Sequence, residues 1–143
     1  MLFRSTGIFD VAPYEGVAEL LPALTGVGLR LYLATSKRTA FAARILDHLD
    51  LARHFAGIYG SEPDGFRDHK PELIADIMRR HAIAPGTAVM VGDRRYDIAG
   101  AHANGIRGIG ALWGYGGRAE LEAAGADLLA SSPADLRTAI AGR

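Results

Sequence analysis

From Tyr14 onward the chain alternates between two kinds of apolar pattern, one with a three-to-four-residue period and one of short unbroken runs. Val17, Leu20, Leu21 and Leu24 predict a helix over 15–27, ended by Gly28. Residues 29–34 read as a strand, and 39–49 as a helix with Phe41, Ile45, Leu46 and Leu49 on one side. A short strand at 57–60 and a polar loop over 61–69 lead to a helix from Pro71 to about His81. Pro71 suits a first helical turn, where its missing N–H would have had no partner. Residues 88–91 are a continuous apolar run, the pattern of a parallel strand buried on both faces. Beyond it the pattern predicts a helix around Ile98, a strand over 106–112 and a helix from about 118 to 124. A short strand at 127–129 and a helix over 133–141 close the series. Residues 1–13 are poorly defined, since Leu2-Phe3 and Ile8-Phe9 are separated by Arg4, Ser5, Thr6 and Gly7.

Strands that alternate with helices imply an α/β fold, a Rossmann-like parallel sheet with helices on both faces. With 143 residues and no repeat or low-complexity tract, a single domain over 1–143 is expected. A chain of that length buries roughly two thirds of the surface its unfolded form exposes. Sixteen basic side chains balance sixteen acidic ones, so no global field favours nucleic acid or an anionic membrane. Cysteine is absent, which excludes disulfides, thiolate catalysis and cysteine-based zinc sites and fits a cytoplasmic location. The five histidines lie too far apart in sequence for a site of neighbouring imidazoles, and no apolar run is long enough to span a bilayer.

Chemistry concentrates at three predicted strand ends or helix starts. In Val91-Gly92-Asp93-Arg94-Arg95-Tyr96-Asp97 two carboxylates stand four residues apart where a buried strand should end. They either hold a metal ion at the carboxyl edge of the sheet or cap the helix that follows. Thr35 and Ser36 follow the first strand, where a helix start would attract a phosphate or need a hydroxyl cap. Lys70 opens a helix, where the dipole disfavours a cation that has no partner, so it either pairs with Asp97, balances a phosphoryl oxygen or is solvated. Arg94 and Arg95 are read as surface or phosphate-steering residues, and Trp113 and Tyr115 as packing around a glycine-rich loop or lining an entrance.

In order and spacing, these pieces resemble the haloacid dehalogenase superfamily of phosphohydrolases. Tyr14-Glu15-Gly16-Val17, Gly60-Ser61-Glu62, His69-Lys70-Pro71-Glu72-Leu73-Ile74 and Trp113-Gly114-Tyr115-Gly116 look like its phosphoglycolate phosphatase branch. The resemblance implies a Mg²⁺-dependent hydrolysis of a small phosphate monoester such as 2-phosphoglycolate, through an aspartyl-phosphate. It assigns phosphate binding to Thr35, Ser36 and Lys70, catalytic roles to Lys70 and Asp97, and a metal-ligand role to Asp93, with a small phosphorylated metabolite as partner. Within the enzyme class, a pyrophosphatase or 5′-nucleotidase of the superfamily fits as well.

One departure from the family pattern matters. The motif Asp-x-Asp at the end of the central first strand, which supplies the nucleophile, is not found. Ile8-Phe9-Asp10-Val11-Ala12 is the nearest string, with Ala12 at the acid/base position. The expectation is therefore a core lacking its central strand, the carboxyl-terminal part of a longer phosphatase, inactive alone. The alternative is a non-catalytic module that binds phosphate or Mg²⁺. Either the opening residues fill the gap in the sheet, or its two edges close on each other. The oligomeric state is not indicated.

Overall fold

The computed structural model describes residues 3–5, 11–13 and 16–141, with side-chain surroundings over 16–140. The elements run β1 (Phe3–Ser5), β2 (Val11–Pro13), α1 (Val17–Gly26), β3 (Tyr32–Arg38), α2 (Thr39–His48), β4 (Gly57–Ser61), α3 (Lys70–Arg80), β5 (Val89–Gly92), α4 (Arg95–Ala103), β6 (Arg107–Ala111), α5 (Gly117–Ala123), β7 (Leu128–Ala130) and α6 (Pro133–Ala141). The strand–helix alternation expected from the apolar pattern is the observed architecture. β3 differs from expectation: it starts three residues later than predicted and continues to Arg38, with a register break between Ala34 and Arg38.

β3 pairs with β4 and β5–β6–β7 form a second set, all parallel. The opening residues, to which the pattern assigned no element, form an antiparallel ribbon of β1 with β2. Among the described residues this ribbon pairs only with itself, and β3 and β5 do not pair with each other. Neither expected closure of the gap occurs there.

Two helices hold the sheet halves together, one on each face. Leu33 packs with Val17 and Leu21 of α1 and with Ala42 and Leu46 of α2. The other stripe of α1, Leu20 and Leu24, lies against Ile109 and Leu136, with Leu31, Val89 and Val91 beside them. On the opposite face Ala34 of β3 and Met90 of β5 join Leu73, Ile74 and Ile77 of α3. Side chains of consecutive strand residues point to opposite faces. Leu31, Leu33, Val89 and Val91 therefore look toward α1, and Ala34 and Met90 toward α3. Both halves are parts of one layer, and helix packing spans the interval between them.

The loop into α3 is held by a buried charge cluster. Arg67 donates to the Gly60 carbonyl (3.0 Å), to Glu62 Oε1 (2.7 Å) and to Asp76 Oδ2 (3.1 Å), and Asp76 also pairs with Arg79 and Arg80. Burial, the largest single influence, pushes the Asp76 carboxyl up, but hydrogen bonds from Arg80 and Arg67 and the nearby positive charges together hold it below its ordinary value. A depressed carboxylate stabilises the fold above the unfolded-state pKa, and that contribution is lost as pH falls through the folded value. We expect Asp76→Asn to cost about 3 kcal/mol near neutral pH, because Arg67 is left buried with fewer partners. In urea titrations the difference from wild type should close below the ordinary carboxylate value of 3.8; a difference independent of pH would exclude the charge cluster as its source.

Candidate active site

The ends of β3 and β5 and the starts of α3 and α4 enclose a cleft of about 400 Å³, lined by Thr35, Ser36, Lys37, Lys70, Asp93, Arg94, Asp97 and Tyr115 among others. All five residues singled out for phosphate, metal or catalytic roles thus meet in one place, although the sequence spreads them from 35 to 97.

Thr35 lies on the irregular end of β3, and its Oγ1 accepts the Lys37 N–H at 3.2 Å. Its hydroxyl proton therefore remains available to an acceptor in the cleft. The Ser36 carbonyl accepts the Ser61 hydroxyl at 3.3 Å. α2 begins only at Thr39, with Arg38 at its N-cap, so these hydroxyls do not stand at a helix N-terminus as the pattern suggested. The strand's continuation past Ala34 moves the helix dipole away from Thr35.

Lys70 settles between two acceptors. Its Nζ is 2.7 Å from Asp97 Oδ1 and 3.0 Å from the Ala34 carbonyl, and the side chain is only 9% exposed. The Ala56 N–H bonds the Leu31 carbonyl, so alternation along the strand turns the Ala34 carbonyl away from β4, toward the unpaired edge. The ammonium thus supplies a donor to an edge carbonyl that has no ladder partner among the described residues. Asp97 also offsets the unfavourable placement of a cation at a helix start.

The metal-or-cap alternatives for the two aspartates resolve differently. Asp97 Oδ2 accepts the Arg94 N–H at 3.1 Å, so this carboxylate caps α4 while its other oxygen holds Lys70. Asp93 does not cap the helix. Its Oδ2 accepts the Tyr115 N–H at 2.8 Å, and its carbonyl accepts the Gly116 N–H at 3.0 Å. Asp93 Oδ1 has no hydrogen-bond donor among the described residues. Two glycines allow these contacts: a Cβ on Gly92 would overlap the Asp97 side chain, and one on Gly114 would overlap that of Asp93.

Glu120 was not anticipated. Arg94 at the N-cap of α4 lacks the short side-chain acceptor that such positions favour, and Glu120 of α5 provides it. Its Oε2 accepts the Arg95 N–H at 2.9 Å and Arg94 Nε at 2.8 Å. The Arg94 hydrogen bond, then the Arg95 N–H, holds the Glu120 carboxyl below its ordinary value. The unsuitable cap residue was the only signal in the sequence; the carboxylate that accepts in its place lies 26 residues from Arg94. Tyr96 and Tyr115 stand exposed at the cleft rim, with Arg95 4.7 Å from the Tyr96 ring centroid.

A metal ion can be judged against these donors. Asp97 is fully engaged, and no group of three or more metal-binding side chains exists among the described residues. Asp93 alone offers an uncovered carboxylate oxygen. Mg²⁺ keeps several waters and takes one or two carboxylates together with phosphate oxygens. The site fits an ion shared with a bound phosphate, not one held by these side chains alone. Asp10, the nearest candidate for a nucleophile, lies outside the described residues.

A parallel α/β layer with charged groups gathered at the carboxyl ends of its strands defines the class of protein. Residues 5–111 match the haloacid dehalogenase-like hydrolase model, and the chain belongs to that family. A 5′-nucleotidase of Pseudomonas aeruginosa is 46% identical over 121 residues, covering 85% of this chain and 55% of that protein. The phosphoglycolate phosphatase of Escherichia coli K12 is 34% identical over 127 residues, 89% of this chain and 50% of its own. The crystal structure of a predicted phosphatase from Clostridium acetobutylicum superposes with a TM-score of 0.93 at 37% identity, covering 97% of this chain and 64% of that one. The chain thus spans about half the length of these curated relatives. Among the described residues no helix is long and apolar enough to cross a membrane.

The close approach at Gly92 generates a direct test. Gly92→Ala should destabilise the protein by about 2 kcal/mol through overpacking against Asp97. It should also raise the reactivity of Lys70 toward amine-acylating reagents, as the ion pair is displaced. Wild-type stability and Lys70 reactivity in this variant would contradict the packing described.

Proposed function

We propose that this chain carries the phosphate-holding part of a Mg²⁺-dependent phosphatase that acts on a small cytoplasmic phosphate monoester. The observation that carries this reading is the meeting of Thr35 of β3, Lys70 of α3, Asp97 of α4 and Asp93 of the loop after β5 around one cleft. Thr35 donates its hydroxyl to a phosphoryl oxygen, and the backbone at Ser36 supports the same group. Lys70 has a third N–H beyond those given to Asp97 and Ala34, and turns it toward the phosphate; Asp97 is the positioning residue that fixes it. Asp93 would hold Mg²⁺, whose contribution would be to draw negative charge from the phosphoryl oxygens.

The nucleophile is the missing part. Asp97 is held by Lys70 and by a backbone N–H, which leaves it a poor attacking group, and the Asp-x-Asp string is absent from the sequence. The aspartate that attacks phosphorus must therefore be contributed by something other than the described residues. Two substrate classes are supported by relatives: nucleoside 5′-monophosphates by the more similar one, and 2-phosphoglycolate by the other. We favour the nucleotide, since the identity to the 5′-nucleotidase is higher and spans a comparable stretch of the chain.

The chain as given should not turn over adenosine monophosphate, 2-phosphoglycolate or p-nitrophenyl phosphate in the presence of Mg²⁺. Titration with Mg²⁺ and inorganic phosphate, followed by amide NMR shifts, should perturb residues 35–37, 70 and 93, with the Mg²⁺-dependent part lost in Asp93→Asn. Turnover abolished by Asp10→Asn would identify a nucleophile within this chain and overturn the mechanism. Shifts located elsewhere would remove the cleft as the site.

A further inference from the structure

The chain contains only two lysines, Lys37 and Lys70, and the rest of its sixteen basic side chains are arginines. Both lysines line the same cleft. A lysine presents a compact point charge with three rotatable donors, whereas the arginine fork is matched to planar carboxylate pairs. Outside the cleft, described arginines such as Arg53, Arg67, Arg79, Arg80 and Arg118 pair with carboxylates.

The cations of the cleft differ in what already neutralises them. Lys70 is balanced by Asp97 at 2.7 Å, and Arg94 by Glu120 at 2.8 Å. Lys37 has no carboxylate partner among the described residues; its ammonium lies 5.6 Å from the Phe41 ring centroid, within the range of a cation–π contact. With the two ion pairs set aside, the charge facing a ligand is Lys37 against Asp93. Over the lining, Lys37, Lys70 and Arg94 stand against Asp93 and Asp97, so without Lys37 the lining would carry no net charge to attract a phosphate dianion. The Lys37 backbone N–H also fixes Thr35 Oγ1, so one residue orients the hydroxyl and brings the charge.

We propose that Lys37 is a phosphate-binding residue, the cation that gives the cleft its net attraction for a dianion. This rests on the reading of the cleft as a phosphate site. Phe41 lies beside the ammonium, and a bound phosphate oxygen takes one of its N–H groups.

Calorimetric titration of the wild-type chain with inorganic phosphate at low ionic strength, beside Lys37→Met and Lys37→Arg, tests the assignment. Lys37→Met should weaken binding roughly tenfold or more, the effect expected for a hydrogen bond to a charged group. Lys37→Arg should stay within about threefold of wild type, because charge is kept while the donor geometry changes. Amine acetylation read by peptide mass spectrometry gives a second measurement on the unmutated protein. Lys37 should be acetylated far faster than the ion-paired Lys70 and should be protected by phosphate. Unchanged phosphate affinity in Lys37→Met, or Lys37 acetylation indifferent to phosphate, would overturn the proposal and leave the phosphate reading of the cleft intact. Absence of any phosphate binding to the wild-type chain would overturn both.

Discussion

The ammonium of Lys70 ties the two halves of the molecule together. It bridges the Ala34 carbonyl on the edge of β3 and the Asp97 carboxylate beyond β5, across an interval where the described strands do not pair. Packing of α1 and α3 brings the halves into one layer, but apolar contacts are non-directional and do not set the position of individual polar groups. The charge pair does. Breaking such a pair leaves an uncompensated charge in a buried setting, which is far more unfavourable than the intact pair is favourable. The arrangement of the cleft therefore follows from one lysine satisfying an edge carbonyl, a helix start and a carboxylate together.

Around that pair the polar groups are fixed by close backbone approach. Asp93, Asp97, Arg67, Asp76 and Ser61 are all buried. Each one is accounted for by hydrogen bonds or ion pairs, as buried polar groups require. Small residues make this possible, since side chains at Gly92 and Gly114 would occupy the space of the two aspartates. The loop over 113–116 therefore folds onto Asp93 and covers one carboxylate oxygen while the other stays open. A carboxylate held through one oxygen, with no donor on the other among the described residues, is suited to sharing a cation with a ligand.

Residues 5–111 match the haloacid dehalogenase-like hydrolase model, and Thr35, Lys70, Asp93 and Asp97 line one cleft. Phosphoryl transfer depends mainly on positioning and on balancing charge. In the function proposed above, the two lysines, Thr35 and Asp93 would address those needs, and a covalent step would require one more group.

Most helices and strands were legible in the chain because their apolar periods are strong: the stripe of α1, the run of β5 and the Pro71 start of α3 all fall within a few residues of expectation. Candidate residues at 35, 70, 93 and 97 were legible for a related reason, since strand ends in a parallel sheet collect at one edge. The β1–β2 ribbon was not, because its two three-residue strands carry too little pattern to separate from loop. Which alternative each polar group adopts was decided only in three dimensions. Asp97 became cap and ion-pair partner together, Glu120 crossed from α5 to complete α4, and Arg67 reached Asp76 beneath the surface. Periodicity records which face of an element is buried, a property local to a few turns of chain. The partner of a charge depends on distances between elements far apart in sequence, and those exist only once the layers have packed.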